Sequence, residues 1–216
     1  MEELTKRQTI APNSAFDAKK NPWSTAPLFA EARGQMFGML EGENSQGRSV
    51  ILKAFSGQFN GVWLADGWAP PLFNVDDFHR IMDPADDLIK DLGRQMEGLA
   101  SDSEERLELR TQRKEVSRQV MKDLHGLYRL RNARGEEAPL TDFFTDRLGP
   151  PTGAGDCCAP KLLNQALALR VRPRGLVEFF WGRASKSGTK QHGRFYASCD
   201  SKCAPILGFM LCGVAS

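Results

Sequence analysis

Short apolar runs alternate with polar and glycine-rich breaks along the chain, and their spacing predicts different elements in different regions. Met36 to Leu40 and Val50 to Phe55 are apolar runs separated by a Gly/Asn/Ser turn from Gly42 to Gly47. That pattern predicts a β-hairpin over 35–59 whose two strands are apolar enough to be central in a sheet. Residues 1–33 are rich in Pro, Asn, Ser, Ala and Lys, with Trp23 and Phe29 as isolated anchors, and read as an extended arm. Gly61 to Phe73 reads as a loop with aromatic anchors lying against the sheet.

From residue 76 to 134 glycine becomes sparse and the apolar positions take a helical period. Ser101 or Ser103 ahead of Glu104 and Glu105 is a helix start with acids at the positive end of its dipole. Val116, Val120, Leu124 and Leu127 mark one apolar stripe, and Asn132 to Gly135 is the expected end. Gly149 to Gly155 is a Pro/Gly connector and the strongest boundary in the chain. Beyond it, Lys161 to Leu167 predicts a helix with Pro160 in its first turn, and Gly175 to Gly182 a buried strand. Arg183 to Arg194 reads as a basic loop and Ile206 to Leu211 as a second short helix.

Composition sharpens this outline. The 216 residues are 41% hydrophobic and 26% charged, which supports a packed core and rules out wholesale disorder. No apolar run approaches the roughly 20 residues needed to span a bilayer, and no secretory signal pattern opens the chain. Five cysteines, an odd number with Cys157 and Cys158 adjacent, fit a reducing, cytoplasmic setting and metal or thiol chemistry better than disulfides. The near-neutral total of +2 conceals segregation. Residues 76–105 hold ten acids against three bases, a net of −7, whereas 106–134 hold nine bases against three acids, a net of +6. A helical hairpin whose arms pair opposite charges accounts for this split, and so does a basic helix face bearing Arg113, Lys114, Arg118 and Lys122 offered to phosphates. Residues 161–216 carry nine bases against two acids, a net of +7. Arg183, Lys186, Lys190, His192 and Arg194 lie there among aromatics, as on a surface that holds phosphates and stacks bases. Phe179 to Trp181 read equally as core, and His192 as polar surface.

The sharpest constellation is Cys157 and Cys158 at one helix start and Cys199 and Cys203 at another. Thiolates bind zinc, and helix N-termini stabilise the negative sulfur. A hairpin, a helical insertion, a cysteine-bearing helix, a strand and a second cysteine-bearing helix follow the layout of a zinc-dependent nucleobase deaminase. There, three protein ligands leave a fourth position for water and a carboxylate relays protons. The usual ligand-x-Glu and Pro-Cys-x-x-Cys spacings are not kept. Ala159 stands two residues after Cys157, and the second pair is Cys-x-x-x-Cys preceded by Ser198. The available acids are Asp156, in the ligand loop, and Glu178, on the strand; Asp156 is the preferred one. Two bland readings stand beside this: a closed structural zinc held by Cys157, Cys158, Cys199 and Cys203, and buried thiols packing as small hydrophobes. Cys212, on an apolar helix face, reads as the latter.

Met36-Phe37-Gly38, Ala54 to Gly57, Pro70 to Phe73, Leu130 to Gly135, Gly155 to Leu163, Glu178 to Gly182, His192 to Tyr196, and Cys199 with Cys203 to Leu207 occur in one order. In them the chain resembles the N-terminal, cytidine-deaminase-like half of the long RluA-type bifunctional tRNA editing enzymes, which convert cytidine to uridine and then to pseudouridine. The resemblance runs from about residue 34 to the end. It implies an α/β fold: a cytidine-deaminase-like mixed sheet with flanking helices and a long, hairpin-like helical insertion. The expected zinc domain covers 34–75 and 149–216, with an RNA-binding insertion over 76–148. By position, Cys157, Cys199 and Cys203 are the implied zinc ligands and Asp156 the acid, standing where the family more often has Glu. Ser198 stands where the family has Pro. The implied activity is zinc-dependent C-to-U editing of a tRNA, in its anticodon loop, with pseudouridylation left to a separate synthase. The alternative is a non-catalytic tRNA-binding module with a structural zinc.

Overall fold

A computed structural model describes residues 4–5, 8–11, 22–30, 34–145 and 149–214. The chain divides into two compact units, one of residues 1–72, 130–138 and 153–216 and the other of 73–129 and 139–152.

The first unit is built on the predicted hairpin. β1 (Gln35–Glu43) and β2 (Ser49–Phe55) pair antiparallel from Phe37↔Phe55 to Glu43↔Ser49. On the other side of β1 lies β5 (Arg172–Trp181), also antiparallel, and beyond it the short β6 (Phe195–Tyr196), giving the order β2-β1-β5-β6. Every described pairing in this sheet is antiparallel, so the expected mixed sheet is corrected. A parallel neighbour needs a crossover helix, whereas β6 returns to β5 through the loop after Trp181.

Side chains alternate across the sheet and divide its two faces. Phe37, Phe55, Phe179 and Trp181 point to one face and bury against Phe59 and the arm residues Leu4, Ile10 and Leu28. Aliphatic side chains therefore anchor the described part of the arm. Of its expected aromatic anchors, Trp23 is partly buried and Phe29 is 49% exposed. The other face is covered by α3 (Cys158–Ala168), whose Leu162, Leu163 and Ala166 are buried. Helix and sheet meet closely because Gly38 has no side chain. A Cβ there would lie 2.6 Å from Cys158 Cβ and 2.9 Å from Leu162 Cδ1. After β6 comes α4 (Ala204–Met210), with Ile206 and Met210 buried. Where a helix end was expected, β3 (Arg129–Arg131) and β4 (Glu137–Pro139) form a small hairpin instead. Asn132 Oδ1 accepts from the backbone of Arg134 and Glu136, so the Asn132 to Gly135 stretch turns a strand pair and does not end a helix.

The second unit is dominated by α1 (Val75–Gln95) and α2 (Glu104–Leu127), which pack on each other. Asn74 caps α1 by accepting from the backbone of Asp76 and Asp77, and Ser103 caps α2 by accepting from Arg106 N. Arg106 reaches back to the carbonyls of Met96 and Leu99 and closes the connecting turn. No described helix is long and apolar enough to cross a membrane.

Lys161 on α3 is fully buried. Its Nζ donates to the carbonyls of Phe55 at 3.0 Å and Gly57 at 2.7 Å, and sits over the rings of Phe55 and Trp63. Burial pulls its pKa down to about 8, against the opposing charges of Asp156, Cys158 and Cys157. A neutral amine keeps enough N–H groups to serve both carbonyls. Between pH 8 and the unfolded value of 10.5 the unfolded chain binds the extra proton, so stability rises with pH across that window. Denaturant unfolding of wild type and Lys161→Met checks this. The wild type should gain roughly 3 kcal/mol from pH 8 to 10.5 relative to the variant, whose curve lacks this titration.

Candidate metal centre

The two cysteine-bearing segments are the starts of α3 and α4, and local backbone rules aim both. Cys157 is the N-cap of α3, in extended conformation (φ −68°, ψ 162°), so its side chain projects from the helix start. Cys203 caps α4, and Cys199 lies one turn earlier, its carbonyl accepting from Cys203 N and Ala204 N, each at 3.1 Å. That turn puts the sulfurs of Cys199 and Cys203 3.5 Å apart.

The Sγ atoms of Cys157, Cys199 and Cys203 all lie within 4.8 Å of one another. Among the described residues this is the sole group of three His, Cys, Asp or Glu side chains that meets so closely. Four-coordinate zinc with Zn–S bonds of about 2.3 Å separates its sulfurs by roughly 3.8 Å, so the donor set and its spacing fit zinc. Cys157 is half-buried, Cys199 exposed and Cys203 buried, so the site opens on one side.

The fourth candidate thiol does not join them. Cys158 is fully buried, its Sγ donates to Met36 O at 3.4 Å, and burial pushes its pKa well up. The closed four-thiolate site is therefore corrected: adjacent residues on a helix start diverge, and Cys158 faces the sheet. Cys212 is exposed beyond α4, not packed on an apolar face. Within the trio, the Cys203 thiol hydrogen-bonds to Cys157 and draws the Cys157 pKa down; burial and the charge of Glu178 oppose this, and Cys199 and Lys202 assist it. The Cys203 thiol is pushed up by the same contact and by burial.

The two predicted acids differ sharply in setting. Glu178 is 5% exposed; Ala159 N donates to its Oε1 at 3.1 Å and Ser198 Oγ to its Oε2 at 2.9 Å. It is held between the first turn of α3 and the residue just before Cys199. Asp156 is half-buried; its backbone N–H donates to Gly153 O and its carbonyl accepts from Gly57 N, and its charge acts on Lys161. Ser198 and Lys161 are the residues that sequence reasoning missed. A serine replacing proline next to a ligand was a signal for the first, and a lysine inside an apolar helix stretch for the second.

The predicted nucleic-acid residues spread over both units. Arg183, Lys186 and Arg194 are exposed on the loop before β6, and Lys190 places its Nζ 3.7 Å from the Tyr196 ring centre. His192 turns toward the arm, with its ring 4.4 Å from Trp181 and 5.2 Å from Phe29 and its Nδ1 accepting from Gly182 N. It is not part of the thiol group. Phe179, Phe180 and Trp181 are all core. In the second unit Arg113, Lys114, Arg118 and Lys122 are exposed on α2 and form no ion pair among the described residues. The basic residues of α1 pair within their own helix: Arg80 with Asp77, Lys90 with Asp86, Arg94 with Asp91. Opposite charges on the two helices are thus not spent on each other. Comparison of the chain with family models, curated proteins and solved structures gives no match.

If these thiols form one metal site, the purified chain should carry about one zinc ion by elemental analysis. Cys157→Ser, Cys199→Ser or Cys203→Ser should each lower zinc affinity by tenfold or more, whereas Cys158→Ser should leave the stoichiometry in place. Equal loss on replacing Cys158 would refute the three-ligand assignment.

Proposed function

We propose that the chain is a zinc-dependent cytidine deaminase acting on single-stranded loops of tRNA, carrying out C-to-U editing. The reading rests above all on one observation: three thiols from two helix starts meet at zinc-binding distance beside a buried carboxylate. Three ligands leave one tetrahedral position free, and zinc held there would supply an activated water at neutral pH. The rival reading, a tRNA-binding module with a closed structural zinc, needs a fourth protein ligand, and Cys158 is turned away. A carboxylate beside the thiols takes and returns the protons that hydrolysis of an amino-bearing ring carbon requires. A polymer substrate explains the unpaired cations of α2 and of the loop before β6, which a free nucleoside would not need. Loops are favoured because an unpaired base swings out cheaply.

Two measurements test the reading. Zinc-loaded protein incubated with total tRNA should produce C-to-U changes on sequencing, lost in Cys157→Ser; no change at any tRNA cytidine would end the catalytic claim. Separately, replacing Arg113, Lys114, Arg118 and Lys122 together by Ala should weaken tRNA binding uniformly. It should also flatten the slope of log affinity against log salt by up to about 3, from four contacts at roughly 0.7 each.

A further inference from the structure

Zinc deaminases ordinarily take their acid from a Glu two residues after the first ligand and place Pro before the second ligand pair. Counted along this chain, those positions are Ala159 and Ser198. Each looks like a separate departure in the sequence. In three dimensions both hold the same carboxylate. The Ala159 N–H donates to Glu178 Oε1 and the Ser198 hydroxyl donates to Glu178 Oε2.

From this we infer that Glu178 is a transposed catalytic acid, delivered from strand β5 in place of helix α3, and that Ser198 is its positioning residue. The inference rests on the deaminase reading and deepens it. The register supports it: Glu178 pairs with Gly38 on one side and Tyr196 on the other, so it lies on the sheet face beneath the start of α3. Ala159, where the usual Glu would stand, is 2% exposed and carries no acid of its own. Proline at 198 would lack the donor that Glu178 Oε2 uses. The two donors to Glu178 flank the thiols in the chain, Ala159 two residues after Cys157 and Ser198 immediately before Cys199. The backbone of Asp156 is tied into the ligand loop, its carbonyl accepting from Gly57 N, while Lys161 grips the Gly57 carbonyl.

The chemistry balances without another reactant. The oxygen of a water molecule bonds to C4 of cytosine and the C4–N4 bond breaks. Glu178 carries one of that water's protons to N3 and the other to the departing amine, leaving uracil and ammonia.

The test uses the full chain loaded with zinc or cobalt(II). Glu178→Gln should reduce C-to-U editing by 10²–10⁴-fold, far more than Asp156→Asn, with cobalt still bound. Ser198→Ala should lose activity and shift the pH–rate profile, and Ser198→Thr, which restores the hydroxyl, should recover both. Moving the acid back, as Ala159→Glu with Glu178→Ala, should regain at least tenfold over Glu178→Ala alone. A larger loss for Asp156→Asn than for Glu178→Gln would overturn the inference, as would Ser198→Ala indistinguishable from wild type. Should the double variant fail to bind cobalt, the comparison of Glu178→Gln with Asp156→Asn decides. Should wild type edit nothing, the deaminase reading fails and the cobalt visible spectrum still judges the placement: Glu178→Gln must perturb it more than Asp156→Asn, and the reverse order would refute it.

Discussion

A carboxylate removed from water must find donors, and the donors that Glu178 finds come from segments far apart in the chain. One is the first turn of α3, through Ala159 N; the other is the residue before Cys199, through Ser198 Oγ. Losing either would leave a buried charge short of a partner, which costs far more than an ordinary surface bond contributes. The same two segments carry Cys157 on one side and Cys199 with Cys203 on the other. One carboxylate thus bonds to both thiol-bearing segments, tying the first turn of α3 to the residue before Cys199.

A second buried ion supports the first from the opposite charge. Lys161, one turn into α3, grips the backbone where β2 ends, at Phe55 and Gly57. Gly57 in turn donates to the carbonyl of Asp156, immediately before Cys157. The helix start is therefore held at two points, through Glu178 and through the Lys161 contacts at the end of β2, while Gly38 lets it approach the sheet. A thiol held this way would need little reorganisation on meeting a metal ion.

Charge is organised differently in the second unit. On α1 acids and bases pair with each other one turn apart, where such pairs are worth only a few tenths of a kcal/mol each. The cations of α2 stay exposed and unpaired among the described residues, so their field remains available to a polyanion. The basic loop before β6 does the same in the first unit, with Lys190 packed on Tyr196 one strand away from Glu178.

The hairpin at β1–β2, the helical stretch from residue 76 with the Ser103 cap of its second helix, the Cys157 and Cys203 helix starts and the strand β5, buried from Glu178 to Trp181, were all legible in the chain by itself. Each is written in local periodicity and local capping chemistry, which act over a few residues. The resemblance named Cys157, Cys199 and Cys203 together, and these are the three thiols that the fold brings within 4.8 Å of one another. Other features were invisible for one reason: they depend on contacts between residues tens of positions apart. Asn132 to Gly135 has the composition of a helix end, yet it turns the β3–β4 hairpin, where Ala133 N donates to the carbonyl of Cys212 far along the chain. Cys158 has the same local signature as Cys157 and is turned away only by the sheet it packs on. Asp156 was preferred as the acid because it is adjacent to a ligand in the chain. The pairing of β1 with β5 brings Glu178 to the start of α3 as well, a neighbour that chain order hides and only the folded sheet supplies.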